Sequence, residues 1–191
     1  VTEDNVSNVE AEIGRQLGIS AARARELHIL GAMSSGFTSG TVTGTNSTNG
    51  FMYSHYAKAH SELDGKILTV PGRKLVITHP YTWYYTAKST FSETYGSAMG
   101  SVGEDVLAKY YKASIFGDVD IYTSNYITAA TNATGYKWSA DGLGYWEPRS
   151  IRIEQERNAS ARGDEFVCTL RGGSKVLVGG YGVRLLQYST L

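Results

Sequence analysis

An α+β fold is what this sequence predicts, on three observations. Apolar residues in the first third recur at helical spacing, short β-type runs dominate from Ser150 onward, and no regular strand–helix–strand alternation links them. At 191 residues the chain suits one domain, or a compact pair of lobes sharing a core. With 41% hydrophobic and 19% charged residues it has enough apolar material to fold, which excludes a disordered chain.

Taken in order, residues 7–33 predict helix. Ser7-x-x-Glu10 has capping-box spacing, and Ile13, Leu17, Leu27 and Leu30 supply an apolar stripe. Gly18 and Ser20 allow a bend, so one kinked helix and two helices both fit. Residues 34–50 are rich in Ser, Thr, Gly and Asn and predict a long loop or a short edge hairpin. Met52, Tyr56, Ala59 and Leu63 lie on one face of a second helix that Asp64-Gly65 ends.

Lys74–Thr78 is a short, nearly continuous apolar run after Pro71-Gly72, the mark of a buried strand central in a sheet. Thr78-His79-Pro80 then offers a helix start leading into Tyr81–Lys88. Ser101-x-x-Glu104 has capping-box spacing again and opens a helix through Lys112. Ile115–Ser124 reads as extended chain interrupted at Gly117-Asp118. Four strands are expected in the last part, at residues 150–156, 165–170, 174–178 and 182–188, separated by Gly-rich turns at 172–173 and 179–182.

Eighteen basic residues balance eighteen acidic ones, so no broad positive field exists for dedicated nucleic-acid binding. Neutrality suits a chain that meets copies of itself, because net charge would add repulsion at each contact. The single Cys168 excludes an internal disulfide and reads as a small buried hydrophobe in a strand. No apolar run reaches the roughly 18 residues of a membrane span, and residues 1–10 lack the basic and apolar regions of a signal peptide. The chain therefore reads as soluble and unexported, and its start at Val1 as the product of a longer one.

No Walker phosphate loop, dinucleotide fingerprint, nucleophile elbow, HExxH or Cys-x-x-Cys occurs. His55 and His60 lie near Glu62 and Asp64, but five residues rotate them about 140° apart on a helix, away from a common metal. His79 stands where a general base stands, at a strand–helix junction, yet lacks Ser, Cys or Asp partners at useful spacing and reads as a cap or packed ring. Glu104 and Asp105 fit a helix start through the helix dipole. Arg162-Gly163-Asp164 is a short adhesion-like tripeptide in a turn, and the sequons at Asn5, Asn46, Asn132 and Asn158 read as loop polar groups. Tyr81, Trp83, Tyr84 and Tyr85, with Tyr136, Trp138, Tyr145 and Trp146, suit a core or a subunit interface ahead of a sugar platform. No catalytic, cofactor-binding or metal-binding residue is assigned.

Several segments, in order, resemble the major capsid proteins of tailed bacteriophages, whose Hong Kong phage-type shell fold is shared by encapsulin compartments. Residues 9–33 look like that family's spine helix and 48–64 like the helix before its central sheet. Pro71–Pro80 is similar to its strand-then-His-Pro passage, and Ile115–Asn125 to its Gly-x-x-hydrophobic-x-Ser-Asn strand. Glu154–Ala159, Gly173, Val176–Val178 and Gly182-Val183 are similar to its closing strands. The family's N-terminal arm and extended loop have no counterpart before residue 9.

The resemblance implies a non-enzymatic shell subunit with a peripheral lobe (residues 7–47 and 148–191) carrying the spine helix and C-terminal strands, and an axial lobe (48–147) on a central mixed sheet. It implies hexamers and pentamers closing an icosahedral shell around the genome, assembled in the host cytoplasm. Scaffolding, portal or decoration proteins would be partners, and packaged DNA would be met without sequence-specific contact. The alternatives are an encapsulin-like compartment and a carbohydrate-binding module or tail adhesin.

Overall fold

The computed structural model describes residues 3–44, 51–65, 72–90, 114–115, 119–158, 160 and 163–190. Its elements run α1 (Glu3–Gly36), β1 (Thr41–Gly44), α2 (Tyr53–Asp64), β2 (Lys74–Thr78), α3 (Pro80–Thr90), β3 (Ser114–Ile115), β4 (Val119–Thr123), β5 (Ala133–Ser139), β6 (Leu143–Asn158), β7 (Gly163–Val176) and β8 (Gly182–Gln187). This is the α+β class the sequence predicts. The helix expected from Ser101 to Lys112 lies outside the described residues. None of the described helices is long and apolar enough to cross a membrane.

Two compact units make up the chain, Val1–Gly31 with Tyr145–Ser174 and Ala32–Gly144 with Lys175–Leu191. The lobe boundaries expected from the sequence fall instead at 47/48 and 147/148.

In the smaller unit α1 is continuous through Gly18, because a glycine's cost of about 1 kcal/mol is outweighed by the alanine-rich turns that follow it. It begins ahead of Ser7, so the Ser7–Glu10 spacing does not mark its start. Ala21 and Leu30 are buried, whereas Leu27, placed by the sequence on the apolar stripe, is 44% exposed. β6 and β7 pair in a two-stranded sheet. Gly172 and Gly173 lie within β7, not in the expected turn, and Ser174–Val176 continue the same strand. A methyl on Gly172 would stand 3.1 Å from the Trp146 carbonyl and 3.3 Å from the Tyr145 hydroxyl, so glycine serves close approach there.

The larger unit is built on a six-stranded mixed sheet in the order β1-β8-β5-β2-β4-β3. β2 is interior, antiparallel to β5 and parallel to β4, as its apolar run requires. β1 is an edge strand parallel to β8, so residues 41–44 make neither loop nor hairpin. β5, unassigned by the sequence reading, lies between β8 and β2 with almost every residue buried. β8 also belongs to this sheet, between β5 and β1.

One sheet face is covered by apolar side chains of α2 and α3. Tyr56, Ala59 and Leu63 of α2, at the spacing read from the sequence, and Trp83 of α3 pack with Val42, Val76, Ile121, Val183 and Leu185. Gly65 ends α2, its N–H donating to the Ser61 carbonyl at 2.7 Å.

Burial pushes the Tyr56 phenol up to about 12, against the opposing influence of the Thr86 and Thr78 hydroxyls. The folded protein thus keeps a proton that the unfolded chain releases near pH 10. This contribution is intact below pH 10 and is lost as pH rises toward 12. Between pH 9 and 11, Tyr56→Phe is expected to lose about 1.4 kcal/mol less stability than the wild type in urea unfolding, and parallel curves would contradict it.

Candidate functional site

The polar residues singled out by the sequence separate into caps and one polar cluster. His55 Nδ1 accepts the Met52 N–H at 2.9 Å, and its ring stacks on Phe51 with centroids 5.0 Å apart. Burial is the main cause holding its pKa low. His60 lies on another side of the helix, as the five-residue spacing requires. Its Nε2 is 3.0 Å from Asp64 Oδ2, one turn on, and its Nδ1 is 2.9 Å from Lys137 Nζ of β5.

Lys74 Nζ of β2 donates to Asp64 Oδ1 at 2.5 Å. Burial acts to raise the Asp64 carboxyl, but the Lys74 hydrogen bond and the charges of His60, Lys74 and Lys137 hold it below its ordinary value. Lys137 is fully buried and Lys74 is 8% exposed. Amines so enclosed meet no substrate, and the cluster ties α2 to β2 and β5. Among the described residues no three His, Cys, Asp or Glu side chains converge to hold a metal ion.

His79 is buried, and its Nδ1 accepts the Tyr81 N–H at 3.1 Å at the start of α3. Desolvation lowers its pKa. The ring packs edge-on against Tyr81 with centroids 4.8 Å apart, so it acts as cap and packing group together. Glu62 is exposed on α2. Glu104, Asp105, Asn46 and Arg162 lie outside the described residues. Gly163 and Asp164 open β7, and Asn158 Oδ1 accepts the Ser160 N–H at 3.1 Å beyond β6.

Each aromatic cluster divides between interior and surface. On α3, Trp83 is 3% exposed while Tyr84 is 46% exposed, because adjacent helical residues point about 100° apart. Tyr85 packs edge-on against Tyr84 and Tyr188, and its hydroxyl donates to the Thr190 carbonyl at 2.8 Å. Tyr136 and Trp138 are buried on β5 in the larger unit, with Phe37 6.4 Å from Tyr136. Tyr145 and Trp146 are exposed on β6 in the smaller unit. Arg25 lies over the Tyr145 ring at 5.8 Å and bonds Glu147 at 2.8 Å, and the Tyr145 hydroxyl donates to Glu147 at 2.6 Å. The surface groups the sequence reading passed over are the exposed arginines of β6 and β7, Arg149, Arg152, Arg157 and Arg171.

A family model described as phage capsid protein matches residues 1–183. No curated protein matches the sequence. Among solved structures, the capsid of cyanophage P-SCSP1u is similar at TM-score 0.65 and 14% identity, over 94% of this chain and 66% of that one. A structure from Mycobacterium phage Che8 gives 0.61 and 15%, over 87% and 60%. The capsid of Myoviridae phage XM1 gives 0.60 and 14%, over 97% and 70%. The chain thus spans less than two thirds of the first two, 66% and 60%, and at these identities the likeness is one of fold.

Proposed function

Since the chain belongs to the phage capsid protein family, we propose that it is a major capsid protein, a structural subunit that self-assembles into the virion shell. The observation that carries this is a family match running from residue 1 to 183, across both compact units. The mixed sheet with its helical cover supports it, through a likeness to phage capsids over nearly the whole chain. In this reading copies associate as hexamers and pentamers of an icosahedral shell around the genome, formed in the host cytoplasm. The larger unit takes the place of the axial lobe and the smaller one that of the peripheral lobe, with residues 32–47 and 175–191, β8 among them, assigned to the axial lobe and not to the peripheral lobe expected from the sequence. Scaffolding, portal and decoration proteins are partners by the same reading, and DNA is enclosed without base-specific contact.

Function then resides in surfaces. A single contact between copies in the micromolar range contributes about −8 kcal/mol, and several made together hold a closed shell while each stays reversible. The test is negative-stain electron microscopy with light scattering on the full-length protein. Closed shells or five- and six-membered rings are expected, and nucleic acid inside native particles separates a virion from a protein-loaded compartment. A strictly monomeric full-length protein at all concentrations overturns the reading.

A further inference from the structure

Two amines and one carboxylate meet on the sheet face that α2 covers. Lys137 of β5 lies opposite Val76 and Val183, both in the apolar cluster beneath α2, so its side chain leaves the sheet on that side. Lys74, two residues before Val76 on β2, emerges from the same face. Both amines are almost wholly enclosed, and a charge so enclosed needs an opposite one beside it. Asp64 of α2 is that opposite charge, since His60, Lys74 and Lys137 all act on its carboxyl. Among the described residues, the other elements packed into this cluster contribute Val42, Trp83, Ile121 and Leu185, none of them charged.

The carboxylate reaches the two amines by different routes. Lys74 Nζ donates straight to Oδ1 at 2.5 Å, whereas Lys137 has His60 between, with Nζ 2.9 Å from Nδ1 and Nε2 3.0 Å from Oδ2. One proton lies between the facing nitrogens of Lys137 and His60, and the amine keeps it as the stronger base by about four pH units. Lys137 then donates to Nδ1, which fixes the ring's own hydrogen on Nε2, facing the carboxylate. A second proton on the ring would sit on Nδ1, against a fully buried ammonium 2.9 Å away. Asp64 attracts that proton from the other side, but its side chain is 43% exposed and already paired with Lys74, so water and Lys74 weaken the pull.

We propose that His60 is a neutral relay between Lys137 and Asp64, and that the four side chains form an acid-sensitive latch fastening the last turn of α2 to β2 and β5. A proton taken up by His60 sets two cations against each other and opens the latch. The unfolded chain accepts that proton near pH 6.5 and the folded one does not, so the latch contributes fully above this pH and its contribution is lost as pH falls below it. Asp64, held below its ordinary value, stays charged between pH 7 and 5, so this window reads His60. The latch is a property of the folded chain and stands apart from the shell reading.

Urea unfolding of the full-length protein at pH 7 and pH 5 tests this, with the variants His60→Gln and Lys137→Met. His28, His55 and His79 are common to all forms and cancel in the comparison. The folding constant of the wild type relative to His60→Gln is expected to fall about 25-fold from pH 7 to pH 5, the factor by which the unfolded imidazole gains its proton. An unchanged ratio overturns the proposal. Lys137→Met removes the opposing ammonium and leaves His60 beside Asp64, so in that background the same comparison is expected to change sign, the histidine form gaining on acidification. A purely steric role for Lys137 leaves the sign as it was and overturns the proposal. Should a variant not fold, the nitrogen-15 spectrum of the wild-type His60 ring at pH 6 decides, in solution or, for particles, in the solid state. Hydrogen on Nε2 with a bare Nδ1 is expected, and a charged ring or a hydrogen on Nδ1 overturns the proposal.

Discussion

Replacing Trp83 by alanine is expected to lower stability by about 3–5 kcal/mol, and the same change at Trp146 by no more than about 0.5 kcal/mol. Trp83 is 3% exposed and belongs to the cluster with Leu63, Val76, Ile121 and Leu185, so truncation removes its transfer energy and leaves a cavity beneath α3. Trp146 is 62% exposed, and its loss uncovers little that water did not already reach. Urea unfolding of both variants checks this, and comparable destabilisation would mean that α3 is not seated on the sheet by its tryptophan.

A single methyl group at Gly182 is expected to have the next largest effect. Gly182 pairs with Trp138, and a Cβ there would fall within the ring of Phe37, which is wholly buried. Neither partner can yield, the strand because of its ladder and the ring because its surroundings are packed. Gly182→Ala should therefore cost about 1–3 kcal/mol or more by overpacking. Gly40→Ala is the control, because its Cβ would meet Val183 methyls at 3.6 and 3.7 Å, an ordinary contact. Phe37→Leu placed with Gly182→Ala should restore part of the loss, giving a coupling of about 0.5–3 kcal/mol in a double-mutant cycle. Independent, additive losses would show that the ring is not what excludes the methyl.

Much of the helical and interior-strand content was legible in the residues. The i, i+4, i+7 spacing of Tyr56, Ala59 and Leu63 places α2, and the apolar run from Lys74 to Thr78 places β2, because both are properties of adjacent residues. β5 was not legible, since Ala133–Ser139 shows neither a long apolar run nor simple alternation. Its central Lys137 is tolerated by contact with His60, seventy-seven residues earlier in the chain. Gly172-Gly173 reads as a turn by composition, yet a strand accommodates glycine where an aromatic side chain and backbone press against it.

The aromatic clusters mark the same limit. Tyr81, Trp83, Tyr84 and Tyr85 stand together in sequence, but the helical rotation and the position of the sheet decide that Trp83 is interior and Tyr84 is not. Strand alternation likewise divides β7 between half-buried Phe166, Cys168 and Leu170 and exposed Glu165, Val167 and Thr169.

By itself, then, the sequence determined the α+β class, the helix and strand that carry the sheet's core, and the ordered motifs of a phage capsid protein. Tertiary structure alone decided that β8 completes the larger sheet and which aromatic residues are surface. The physical reason is one of range. Periodicity and capping act within a few residues of chain, whereas strand pairing, burial and the cover on a charged side chain depend on residues that only folding brings together.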